Sequence, residues 1–136
     1  MNERTLRLAF VTVLACAAGI GCRGATEIMQ GDARPVMVTF FVDTAEAYLD
    51  PAIEPRAALA AGELALRDHG YSVVERELTD ERGEIQGERP GARFYEAIWI
   101  SSRGFGDATR VRVKARPGDE ARQRLLMDGL LQRLGH

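Results

Sequence analysis

The sequence predicts an α+β domain. A five-stranded, mainly antiparallel sheet carries two helices on one face, in the order β-α-β-β-β-β-α. Three observations point there. Two stretches of helical character, "PRAALAAGELALRDHG" and "DEARQRLLMDGLLQRL", bracket the middle of the chain. Four short segments rich in strand-forming residues lie between them, each bounded by turn residues. Two turns, read independently, then put the same side chains on the same sheet face.

The first strand is "VMVTFFV", residues 36–42, which is β-branched and aromatic. The following "DTAEAYLDPAIEP" contains two prolines and reads as an irregular connection. The first helix begins at Pro55, because the missing N–H costs nothing in a first turn. Arg56, Glu63 and Arg67 share one stripe of it, and small or aliphatic residues fill most of the rest. Gly70 ends it, as the residue type that tolerates a left-handed backbone. The four later strands are "YSVVEREL", "EIQGE", "RFYEAIWIS" and "TRVRVKAR". Asp119 then suits the N-cap of the last helix. Leu126, Met127, Leu130, Leu131 and Leu134 give that helix an apolar stripe of helical period.

The turns predict registers. Arg89-Pro90-Gly91-Ala92 fits a type II turn, with Pro and Gly at its centre. A tight turn there sets Glu88 opposite Arg93, Gln86 opposite Tyr95 and Glu84 opposite Ala97. A symmetric loop over residues 102–107 sets Trp99 opposite Arg110, Ala97 opposite Arg112 and Tyr95 opposite Lys114. One face then collects Ile85, Phe94, Ile98, Ile100, Val111, Val113 and Ala115, and it is the face for the helices. Glu96 also falls on that face. Arg76 joins it if Thr79 lies opposite Glu84, so Arg76 and Glu96 form a candidate ion pair or groove floor.

The opposite face gathers Tyr95, Trp99, Arg110, Arg112 and Lys114, with Arg116 beyond. Cross-strand pairs such as Arg93 with Glu88, or Arg110 stacked on Trp99, would hold it as a solvated surface. The alternative is a partner surface, since aromatic and arginine side chains anchor interfaces. The partner would be an envelope protein or an anionic envelope component.

Catalytic residues are not expected. His69 sits in the last turn of the first helix, where the dipole favours a cation. No Cys/His spacing suits a metal, and no nucleophile elbow or phosphate loop is present, so no metal and no cofactor is expected. The chain carries 18 basic and 20 acidic side chains, which gives no reason to expect nucleic-acid binding.

The start of the chain speaks to location. "MNERTLR" is basic, and the next 13 residues, Leu8 to Ile20, are uncharged. As a helix this run is about 20 Å long, short of the ~30 Å hydrocarbon core. Residues 1–21 therefore read as a signal peptide, residues 22–35 as a lipidated N-terminus and flexible tether, and residues 36–136 as one domain. "GIGC", ending at Cys22, resembles the lipobox of bacterial lipoproteins. That resemblance implies a diacylglyceryl group on the Cys22 thiol and a membrane anchor through the N-terminal lipid. The alternative is cleavage after Ala17, leaving Cys22 a free thiol. Either route removes Cys16, so the mature domain has no internal disulfide.

The order of these elements resembles a family of small bacterial lipoproteins known only as a domain of unknown function. The matching pieces are the "A…AL…HGY" helix end, "D…GEI.G", "T.V.V.A..GDE" and the final "LL..L", over roughly residues 36–135. The resemblance implies an α+β envelope domain and brings no catalytic residue with it. The expectation is a non-enzymatic binding or scaffolding module on the outer membrane, facing the periplasm. The alternative is a periplasmic carrier with a small-ligand pocket between sheet and helices. Intact mass of the mature protein from membranes tests the first step: an acylated N-terminus at Cys22 is expected, and a start at Ala18 with a free thiol overturns it.

Overall fold

The structure, a computed structural model, describes Ala25–Met29 and residues 35–136. The stretch read as a signal peptide, Cys22 and most of the stretch read as a tether lie outside the described residues. The described residues form a sheet of seven antiparallel strands with two helices on one face. β1 (Ala25–Met29), β2 (Val36–Phe40) and β3 (Thr44–Leu49) form a meander. Helix α1 (Pro55–Asp68) then carries the chain to the far edge. There β4 (Ser72–Leu78), β5 (Arg82–Glu88), β6 (Ala97–Phe105) and β7 (Ala108–Arg116) run back. β7 closes the sheet by pairing with β3, giving the order β1-β2-β3-β7-β6-β5-β4. Helix α2 (Glu120–Arg133) completes the covered face. α1 lies over β4, β5 and β6, α2 lies over β3 and β7, and the two helices touch.

The fold class is therefore α+β as expected, but the sheet is larger than five strands. Six strands fall within residues 36–116, and β1 adds a seventh. β3 lies in the segment after Val42 that reads as an irregular connection. Its helix-facing residues, Ala45, Ala47 and Leu49, are buried, whereas Thr44 and Tyr48 are not. That is a period of two written mostly in alanine, which has little strand propensity, so only its register reveals it. β1, in the stretch read as tether, pairs with β2 from Ala25 opposite Phe40 to Met29 opposite Val36.

Apart from the first two residues of β4, which a bulge between Val73 and Glu75 displaces by one more, the registers differ from expectation by an even number of residues. Gly91 adopts the expected left-handed conformation, φ 71°, and Ala92 N–H donates to the Arg89 carbonyl at 3.5 Å. Pairing does not resume at Arg93, however, but at Ala97, which faces Glu88. At the other end β6 and β7 continue through the expected loop to a two-residue turn at Gly106-Asp107, with Phe105 facing Ala108. Trp99 therefore faces Lys114 rather than Arg110, and Ala97 faces Arg116 rather than Arg112. Both shifts are four residues. In the β4–β5 hairpin Leu78 faces Gly83 and Glu77 faces Glu84, a shift of two from the expected pairing. A strand's side chains alternate with period two, so even shifts leave every face assignment intact. Ile85, Ile98, Ile100, Val111, Val113 and Ala115 are all buried under the helices. Phe94 is the exception: it lies in the loop before β6 and is exposed.

The helices follow their sequence signals. Pro55 opens α1, and Gly70 follows it at φ 80°. The Asp119 carboxylate accepts from the Arg122 N–H at 3.2 Å and caps α2. Leu126, Met127, Leu130 and Leu131 are buried, and Leu134 packs against them. Each fully buried Leu or Ile contributes roughly 1.5–3 kcal/mol. The interior is close-fitting at Gly83, where an added Cβ would press on Leu59 and sit 3.0 Å from the Glu77 carbonyl. Gly83→Ala is expected to cost about 1–3 kcal/mol through this overpacking. Gly104→Ala, with no atom within 4 Å of the new Cβ, should cost less. Urea unfolding of the two variants checks the contrast.

Candidate functional site

The helix-free face of the sheet carries the site. Residues in register across neighbouring strands point to the same side. One row on this face therefore runs Glu84, Ser101, Arg112, Glu46 and Thr39 through β5, β6, β7, β3 and β2. The next row runs Gln86, Trp99, Lys114 and Thr44. Glu84, Ser101, Arg112 and Glu46 of the first row and Trp99, Lys114 and Thr44 of the second line an open basin of about 760 Å³ with Phe41, Asp43 and Arg116.

Its floor is a salt-bridged centre. Glu46 is only 9 % exposed and pairs with the Arg112 guanidinium through Nε. The Tyr48 hydroxyl donates to Glu46 Oε1 at 2.5 Å. Burial works against the Glu46 charge, but these hydrogen bonds and the nearby Arg110 outweigh it and hold the carboxyl below its usual range. The same bond pushes the Tyr48 hydroxyl up, because ionising removes the proton that Tyr48 donates and sets its charge against the carboxylate. Towards one end, Lys114 Nζ lies 3.6 Å from Asp43 and the Arg116 guanidinium stands 5.6 Å over the Trp99 ring. Towards the other, Arg110 and Arg103 stand 5.0 and 5.7 Å over Phe105, whose ring meets Tyr48 at 5.6 Å. A second cavity of about 290 Å³ adjoins this end, lined by Arg103, Arg110 and Arg112 among others.

The sequence-predicted surface is thus largely brought together, with corrections. Trp99, Arg112 and Lys114 line the basin, and Arg110 lines the cavity beside it. Tyr95 does not sit on β6. It lies in the Arg89–Glu96 loop, and its hydroxyl meets Gln86 at 3.2 Å and Glu88 at 3.1 Å. Glu88 therefore does not take Arg93, and it is Arg116, not Arg110, that stacks on Trp99. Each of these changes follows from the four-residue shifts. Glu46 and Tyr48 are not legible as site residues because β3 is not, and Phe41 and Asp43 flank the β2–β3 turn that goes with it. The signal of β3 is the alternation of Thr44, Glu46 and Tyr48 with Ala45, Ala47 and Leu49.

Arg76 and Glu96 do not pair. Arg76 does point to the helix side, where it meets Glu63 of α1 above a shallow groove of about 150 Å³. Glu96 lies in the loop, half-buried, 3.6 Å from Arg89 and 3.5 Å from Arg122. Arg122 also holds Asp119 at 3.0 Å and the Pro117 carbonyl at 2.7 Å, so it ties the loop to the start of α2. His69 Nδ1 donates to the Ala65 carbonyl at 2.7 Å, one turn back along α1. Among the described residues no group of three His, Cys, Asp or Glu side chains could hold a metal, and no helix is long and apolar enough to cross a membrane.

No protein-family model and no curated protein matches the chain. The chemistry of the site itself therefore carries the functional argument. Fixed cations and carboxylates around exposed aromatic rings can bind a partner by charge and stacking.

A carboxyl with a lowered native pKa adds stability that is complete above its unfolded value, here near 4.5, and is lost as the pH falls through the native value. Acid unfolding of the protein should therefore steepen below about pH 4.5, and Glu46→Gln should flatten that limb. At neutral pH the substitution is expected to cost about 1 kcal/mol, a figure reduced for solvent screening at half-exposed Arg112. Chemical denaturation across a pH series checks both.

Proposed function

We propose that this chain is a lipid-anchored protein of the bacterial envelope, held through Cys22, and that it acts as a non-enzymatic binding or scaffolding module. The lipobox-like "GIGC" and the resemblance to small lipoproteins support the location, with the outer membrane facing the periplasm as the favoured site. The open basin supports the role. It combines Trp99, Arg112, Lys114 and Arg116 on a face that neither α1 nor α2 covers.

The partner is an envelope protein or an anionic envelope component. Asp43 and Glu46 neutralise part of the basin, so recognition is by pattern and not by bulk positive charge. A carrier role has less support, because the groove between α1 and the sheet is about one fifth of the basin's volume. Trp99→Ala combined with Arg116→Ala should abolish co-purification of the envelope partner while leaving the urea midpoint nearly unchanged. Retained co-purification, or loss of folding in step with loss of binding, overturns the surface.

A further inference from the structure

One end of the sheet has features beyond the partner surface, although Phe41 and Arg116 belong to both. Ala25 opens β1 opposite Phe40, at the end where β2 turns into β3 and β7 finishes at Arg116. Only Arg23 and Gly24 separate Cys22 from Ala25. Three residue steps span at most about 11 Å. A lipid on Cys22 therefore holds this end of the sheet, and not the Gly106 end, close to the bilayer. The nine residues of β7 put the Gly106 end about 27–30 Å further away.

The same end exposes apolar side chains on two separate prongs. The β2–β3 turn presents Phe41 and Val42, which are 41 % and 79 % exposed. The loop before β6 presents Phe94 and Tyr95, which are 77 % and 63 % exposed. Three strand spacings, about 14 Å, separate β2 from β6. Single exposed apolar residues are ordinary, but two pairs at the end nearest the anchor are not scattered.

Both prongs are pinned from inside. The buried Gln123 donates through Nε2 to the Val42 carbonyl at 3.3 Å, and Phe41 N–H donates to the Thr44 carbonyl at 2.7 Å. Glu96, between Arg89 and Arg122, fixes the foot of the other loop. The carboxylates at this end are already engaged: Asp43 with Lys114, Glu96 and Asp119 with Arg122, Glu120 with Arg124, and Glu88 with Tyr95. Arg93 and Arg116 have no carboxylate partner among the described residues. Aromatic side chains beside unpaired guanidinium groups match the layer where phosphate headgroups meet acyl chains.

We propose that this end is a membrane-docking edge. Phe41, Val42, Phe94 and Tyr95 enter the headgroup layer of an anionic bilayer, and Arg93 and Arg116 meet lipid phosphates. The proposal rests on the lipid anchor at Cys22, which supplies the membrane and a high effective concentration. The sheet then stands on the bilayer, with its basin opening sideways just above the headgroups.

The test uses the mature chain isolated from cells, with Phe94→Trp in a Trp99→Phe background so that one indole reports the loop. In vesicles of phosphatidylcholine with phosphatidylglycerol, its emission should move to the blue. Iodide quenching should fall about threefold relative to a Leu64→Trp probe on α1 in the same background. Adding Arg93→Gln with Arg116→Gln, or Phe41→Ser with Val42→Ser, should restore quenching. Equal quenching of the two probes, or shielding that survives both double substitutions, overturns the docking edge. Intact mass of the same preparation reads the anchor separately. An acylated chain with an exposed probe keeps the anchor and removes the edge. An unacylated chain removes the anchor, and the probe with vesicles added then decides the edge by the same shift.

Discussion

The pairing of β3 with β7 is the constraint on which the rest of the molecule depends. It joins a meander that ends at Leu49 to one that ends at Arg116, after α1 has carried the chain to the far edge. On the helix side it sets Ala45 opposite Val113 and Ala47 opposite Val111, and α2 lies on that small-residue surface. On the open side it sets Glu46 opposite Arg112 and Thr44 opposite Lys114. The core seam and the centre of the basin are thus two faces of one set of backbone hydrogen bonds. The even alternation of side chains is what lets the same ladder serve both.

Alanine at positions 45 and 47 explains how α2 fits. Phe40 on the neighbouring strand is large and buried, and the Arg124 guanidinium from α2 stands 4.3 Å over its ring. Larger residues at 45 and 47 would lift the helix from the sheet, and cores tolerate little added volume. Glu46, between the two alanines, cannot reach the core side. Its carboxylate is buried by neighbours on the open face instead, and Tyr48 and Arg112 supply the hydrogen bonds that a buried charge requires.

Much of this was legible in the sequence, because face assignment depends on parity. Trp99, Arg110, Arg112 and Lys114 kept their side of the sheet although their partners moved by four residues. What was not legible was the length of each connection. Arg89-Pro90-Gly91-Ala92 carries a true turn signal, but nothing local says that Arg93–Glu96 stays outside the ladder. Those four residues leave it because Glu96 is held by Arg89 and by Arg122 of α2, a contact between residues far apart in sequence. The opposite holds at residues 102–105. Ser102 and Gly104 suggested a loop, yet Ser102 is buried and Arg103 faces Arg110, so the alternation simply continues. β3 escaped notice for a third reason, since alanine satisfies a packing need that propensity does not record.

Seven strands and two helices leave an asymmetry that the core alone does not require. The helices could satisfy an apolar face without any aromatic or arginine side chain opposite. The open face nevertheless carries Trp99, Tyr48 and Phe105, each in contact with a ring or a guanidinium. A solvated sheet needs only short polar residues and opposite charges in pairs. Rings on this face leave apolar area that neither α1 nor α2 buries. Such groups are stable in place because the guanidinium planes cover them, and they present flat, charged surfaces that are already ordered before any contact is made. Preorganisation of this kind lowers the entropic cost of association. It is the physical reason for proposing binding at this face and not at the helical one.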